Sequence, residues 1–228
     1  MKRTIFAVSA LTLLLVISAA ADSQNLLVNG NFEAGNTGFM TDYTYIPGDG
    51  THHTENGQYS VITNPATAFT NGYASYGDHT TGSGLMLFAD SDGPGHNIWA
   101  ENVSVGAGAY TFTGWIANAD TIVLNPPTLA LFINGVETGN TFTITQNGGI
   151  WEPWTVSLNF NSASNVDLSI QDLNTGFHGA GDDFTLDDLS LTQGGATTPE
   201  PASLALMGSG LLPCLWIVRR KLAGARKS

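Results

Sequence analysis

The sequence is most informative for what its central part lacks. All seven Lys and Arg stand at the two ends: Lys2, Arg3, Arg219, Arg220, Lys221, Arg226 and Lys227. Between Asp22 and Val218 there is none, although that span holds all 19 Asp and Glu. A body without cations cannot neutralise phosphates, which excludes nucleic acid as a partner. Docking of the body on anionic lipid is disfavoured for the same reason. Side-chain salt bridges are ruled out within the body, so its carboxylates must face water, accept backbone N–H bonds or bind cations. The one cysteine, Cys214, lies in an apolar run near the C-terminus, leaving the body without disulfide or thiol chemistry. Lys, Arg and Glu, the residues on which helices lean, are scarce, and this favours a mostly β body. The sequence has no HExxH pair, no Gly-x-Ser-x-Gly elbow, no P-loop and no internal repeat.

The two ends read as addresses. Lys2 and Arg3 precede a short apolar stretch, Ile5 to Ile17, and then the small residues Ala19, Ala20 and Ala21. This is the pattern of a secretory signal over 1–21, with Asp22 as the mature start after signal peptidase. At the other end, 194–198 is a small flexible linker. Pro199, Glu200 and Pro201 follow, then an apolar run from Ala202 to Val218, then Arg219, Arg220 and Lys221. Seventeen residues lie at the lower limit for a transmembrane helix, and the basic cluster places its end in the cytoplasm. Motif, helix and basic tail over 199–228 resemble the PEP-CTERM sorting signal, although Pro213 and Cys214 interrupt its usual Leu/Gly/Ala run. The resemblance implies a Gram-negative protein handled by an exosortase-type enzyme. The protein would be held in the inner membrane only transiently, through the C-terminal helix, and destined for the cell envelope or the extracellular polysaccharide.

Residues 22–193 read as one all-β domain. Period-2 alternation runs through Tyr110–Ile116, Trp154–Phe160, Val166–Ile170 and Phe184–Leu191. Leu129–Ile133 ends at Asn134-Gly135, a hairpin signal. Short strands spaced by polar turns indicate a single antiparallel β-sandwich or jelly roll. The opening Asn25-Leu-Leu-Val-Asn-Gly-Asn-Phe-Glu33 and the closing Asp183-Phe-Thr-Leu-Asp-Asp-Leu-Ser-Leu191 resemble the first and last strands of carbohydrate-binding-module and galactose-binding-like jelly rolls. That resemblance implies that the two strands meet beside a structural calcium, with Glu33 and Asp187 supplying carboxylates, Asp188 the alternative, and backbone carbonyls completing the shell.

Sugar-binding faces use aromatic rings against the C–H faces of pyranoses. Alternation puts Trp154 with Val156, Leu158 and Phe160, and Tyr110 with Phe112 and Ile116, both in the core. Trp115 falls on the opposite face with Thr111 and Thr113 and is a candidate platform, as are Tyr43 and Tyr45 on one side of Thr44. Asp90-Ser91-Asp92-Gly93 lacks the downstream Glu of a calcium loop and reads as a turn. The five scattered histidines read as solvent-facing or loop-fixing. The expectation is a secreted, non-catalytic, carbohydrate-binding β-sandwich. The alternatives are a structural or adhesion matrix protein without glycan binding, or a glycoside-active enzyme working through two carboxylates.

Overall fold

The structure is a computed structural model describing residues 24–122, 124–175 and 181–194. The expected signal segment 1–21 and the sorting segment, with Pro199, Glu200, Pro201, Arg219, Arg220 and Lys221, lie outside the described residues. Among the described residues no helix is long and apolar enough to cross a membrane.

Among the described residues ten strands form two sheets. They are β1 (Thr44–Tyr45), β2 (Gln58–Ile62), β3 (Met86–Asp90), β4 (Trp99–Val105), β5 (Gly108–Asn118), β6 (Thr128–Ile133), β7 (Val136–Thr143), β8 (Glu152–Phe160), β9 (Ser164–Asp172) and β10 (Asp183–Gln193). One sheet has six strands in the order β1-β2-β3-β10-β5-β8, the other four in the order β4-β9-β6-β7. All pairings are antiparallel except the two-residue β1, which runs parallel to β2. A single helical turn, α1 (Pro65–Ala68), starts at Asn64, whose side chain accepts from the Ala66 amide.

The β-sandwich expected from the alternation is present. On β5, Tyr110, Phe112 and Ile116 are buried while Thr111, Thr113 and Trp115 are only partly covered. On β8, Trp154, Val156 and Leu158 are buried and Pro153, Thr155, Ser157 and Asn159 are exposed. The register sets Tyr110 opposite Leu158, Phe112 opposite Val156 and Gly114 opposite Trp154. The inward faces meet Leu129, Leu131, Leu168 and Ile170 of the smaller sheet in one core. Trp154 packs edge-on to Phe112, with ring centroids 5.5 Å apart. Asn134 and Gly135 both have positive φ, 52° and 75°, as a type I′ hairpin between β6 and β7 requires. A second apolar cluster forms on the outward face of the larger sheet, where Phe69 and Tyr73 of the α1 segment cover Ile62, Met86 and Phe88.

The start and end of the β domain do meet: Asn25 bridges Thr192, and its side chain binds both the Leu189 carbonyl and the Leu191 amide. The expected opening strand over Asn25–Glu33 is a correction: Asn25 makes an isolated bridge and no strand follows before β1. From Val28 onward the chain turns, with Asn29 and Phe32 both at φ 56°. The Asn29 side chain holds that turn by binding the Gly35 and Thr37 carbonyls and the Ala34 amide. Phe32 is drawn into the core and fully buried. Gly30 sits against β10, where a β-carbon would lie 2.0 Å from the Leu189 carbonyl oxygen. At that point β10 carries a register irregularity between Asp187 and Ser190, with Asp188 at φ 48°.

Candidate functional site

Three groups of side chains bear on function. The first is a row of rings at the outward face of the larger sheet. Trp115 of β5 is half-buried, as alternation places it, but one face of its indole is already covered. The His79 imidazole stacks on it at 3.8 Å and 16°. His79 also meets Trp151 edge-on at 6.0 Å, and Trp151 meets Tyr76 at 5.9 Å. The Trp151 Nε1–H donates to the Gly77 carbonyl and Tyr76 exchanges a hydrogen bond with Thr185, so the Trp151–Tyr76 end of the row is anchored. All four rings are partly exposed. Beside them the outward side chains of β5 and β8 are the hydroxyls of Thr111, Thr113, Thr155 and Ser157.

The other two expected platforms separate. Tyr43 is a correction: it is 6% exposed and lies in the core. Its hydroxyl accepts from the Asp92 amide, so the ring is a strut under the segment that follows β3, and burial pushes its pKa up. Tyr45, on edge strand β1, is 46% exposed and rests edge-on against Tyr59.

The second group surrounds the β10 irregularity. Asn31, Glu33, Asp78, Thr80, Thr81, Asp187 and Asp188 line a cavity of about 100 Å³. Glu33 and Asp187 thus stand together, each already accepting backbone amides: Leu85 to Glu33, His79 and Asp188 to Asp187. Asp188 accepts from His79 Nδ1 at 2.7 Å and from the Thr80 hydroxyl. Asp78 is buried, which raises its pKa, yet the amides of Thr81 and Gly84 outweigh that and hold it low. Asp187 has less help. Burial, reinforced by the Asp188 and Asp78 charges, pushes its pKa up to about 7.

The third group was not visible in the sequence. Asp90 and Asp183 are direct cross-strand partners of β3 and β10. With Asp120, Asp182, His53, Thr54, Asn71 and Tyr73 they line a cavity of about 290 Å³. One carboxylate oxygen from each of Asp90, Asp182 and Asp183 lies within 4.8 Å of the others. Tyr73 donates to Asp183 at 3.0 Å, and Asn71 holds Thr54 beside the Tyr73 hydroxyl. Burial, together with mutual repulsion, pushes Asp183 well above the usual carboxylate range and Asp182 up to about 7. Burial likewise raises Asp90 and Asp120. The sequence reading placed Asp183 at the start of the closing strand but did not single out Asp182, and the partners Asp90 and Asp120 depend on strand order.

Histidines qualify the exclusion of ion pairs. His52, His79 and His96 stand 2.8, 2.7 and 3.1 Å from Asp49, Asp188 and Asp92, so salt bridges are possible wherever these rings are protonated. The turn expected over Asp90–Gly93 falls later: Asp90 ends β3, 91–93 run without regular structure, tied through Ser91 to Asp172 of β9, and the chain turns at Pro94 and Gly95.

No protein-family model and no curated protein matches this chain. Among solved structures it is similar to a cyclase from Fischerella sp. TAU, at 13% identity over 78% of this chain and 100% of that one, with a TM-score of 0.50. It is also similar to the CBM22-2 xylan-binding domain of Paenibacillus barcinonensis Xyn10C, at 14% identity over 72% and 98% of the two chains, TM-score 0.44. A third similar structure is a family 16 carbohydrate-binding module, at 16% identity over 74% and 100%, TM-score 0.42. At 13% identity the likeness to the cyclase concerns the fold alone.

Proposed function

We propose that the body is a non-catalytic, carbohydrate-binding β-sandwich. The observation that carries this reading is the row Trp115–His79–Trp151–Tyr76, four partly exposed rings flanked by a hydroxyl-bearing strand face. Rings of this kind offer apolar surface to sugar C–H groups, and adjacent hydroxyls take sugar hydroxyls. With Trp115 covered on one side by His79, a glycan engages the exposed part of the row rather than one open indole.

The hard-oxygen set at Glu33, Asp78, Asp187 and Asp188 suits calcium, which takes six to eight oxygen ligands. Calcium would supply the positive charge that this ring of acids lacks. Glu33 and Asp187 would hold it and so tie the first turns to β10. Export through the N-terminal signal and sorting by an exosortase through the PEP-CTERM segment complete the proposal, placing the protein at the cell surface or in extracellular polysaccharide.

A glycan array with the full chain tests the reading, with Trp115→Ala and Trp151→Ala as paired variants. Binding that the variants weaken supports it. No glycan above background sinks it and leaves a structural or adhesion role.

A further inference from the structure

We propose that the ring row takes a polysaccharide bearing free amino groups and rejects acidic polysaccharides. This rests on the carbohydrate-binding reading above and adds the charge of the ligand. The described residues carry seventeen carboxylates, twelve Asp and five Glu, and no Lys or Arg. One of those acids touches the ring row and two stand buried beside it. Asp188 contacts the imidazole that stacks on Trp115, its side chain 26% exposed and so within reach of a ligand. Asp187, buried, is the cross-strand partner of Trp115 and accepts the His79 amide. Asp78, the neighbour of His79 in sequence, is buried too and lines a cavity with Asp187 and Asp188.

In chelator, with no calcium on Glu33 and Asp187, a uronate or sulfate approaching this face meets like charge with no Lys or Arg among the described residues to offset it, the reverse of an acid-binding groove. A neutral sugar gains contact with rings and hydroxyls and donates hydroxyl hydrogen bonds to a carboxylate, but it has no charge to pair with it. An ammonium on a sugar gains from both: it pairs with a carboxylate, and it is attracted to the faces of Trp and Tyr rings. One such contact near the surface changes affinity by about fivefold, and salt screens it, because the Debye length falls from about 30 Å at 0.01 M to about 8 Å at 0.15 M.

The experiment titrates the full chain in chelator with three oligosaccharides of equal length: a glucosamine oligomer, its N-acetylated counterpart and an oligogalacturonate, each at about 0.01 M and about 0.15 M salt. The expected order at low salt is amino first, acetylated second by about fivefold or more, and acidic last, the gap narrowing at higher salt. Asp188→Asn removes the charge at a position of positive φ that Asn tolerates. It should cost the amino oligomer about fivefold and leave the acetylated one within about twofold. Glu137→Gln, an exposed acid on β7 in the other sheet, should change neither, which separates a local contact from attraction of any polycation to an acidic protein. Trp115→Phe, the milder change, should weaken amino and acetylated oligomers alike. Equal binding of all three oligomers, lost in Trp115→Phe, overturns the charge inference and leaves the carbohydrate reading standing. Acidic oligomer bound tightest, or Glu137→Gln matching Asp188→Asn, overturns the charge inference as well. Binding of none of the three overturns both.

Discussion

Acid should stabilise this protein, which is the reverse of the usual behaviour of a domain rich in carboxylates. The cause is the group Asp90, Asp120, Asp182 and Asp183 at the β3–β10 end. In the unfolded chain each Asp loses its proton near pH 3.9. In the fold, Asp182 keeps its proton up to about pH 7, first because it is buried and then because Asp90 and Asp120 repel its charge. A folded pKa raised in this way contributes stability that is complete below about pH 3.9 and is lost as pH rises through about 7. The loss runs at about 1.4 kcal/mol per pH unit per proton, so the gap from about 3.9 to about 7 integrates to about 4 kcal/mol for Asp182 at fixed geometry. Local rearrangement and entry of water at the cavity mouth reduce that, and about 2 kcal/mol is the expected net loss between pH 5 and 8. Asp183, Asp90 and Asp120 shift in the same direction. Asp78, held low by backbone amides, opposes the trend only below its ordinary range, outside this window. For a domain of this size about 2 kcal/mol corresponds to about 4–8 °C in Tm. Thermal melts from pH 5 to 8 without added divalent cation should therefore show Tm falling as pH rises. Asp183→Asn keeps an acceptor for Tyr73 while removing one charge, so it should raise Tm at pH 8 and flatten the pH profile. A Tm that is level or rises over this range, or an Asn variant that melts several degrees lower at pH 8, would refute the reasoning.

Three further outcomes are expected. If calcium occupies the site at Glu33 and Asp187, adding it at 100-fold over its Kd should stabilise the chain by about 2.7 kcal/mol, and Glu33→Gln should remove most of that shift in a melt with and without chelator. Trp154→Ala should cost about 3–5 kcal/mol by denaturant titration, because the ring is buried against Phe112, whereas Tyr45→Ala at the exposed edge should cost much less. Intact-mass measurement of envelope and medium fractions should find a chain that begins at Asp22 and has lost the residues after Pro201; a stable species retaining Arg219 to Ser228 as the sole form counts against processing.

How far the sequence could be read depended on whether each feature was local. Period-2 alternation is local, and it sorted Trp154 and Tyr110 inward and Trp115 outward before any strand pairing was known. Asn134-Gly135 announced its hairpin for the same reason. Features that depend on strand order were not legible. The segment from Val28 to Gly57 has almost no alternation, and nothing in it marked Tyr43 as a strut reaching the Asp92 amide. His79 reaches Trp115 only because β10 lies between the 78–84 loop and β5, through Asp187 and Asp188. The absence of Lys and Arg foretold that carboxylates would turn to backbone amides. Glu33, Asp78 and Asp187 do so, each in or beside a turn whose N–H groups are not part of a ladder. Asp90 and Asp183 sit instead at paired strand ends, where the amides that reach the cluster, those of Asp183 and Gly181, go to Asp120. With amides committed and no Lys or Arg available, the charge there is removed by a proton or offset by a ligand's cation. The same compositional absence therefore leads to two local outcomes, and strand register decides between them.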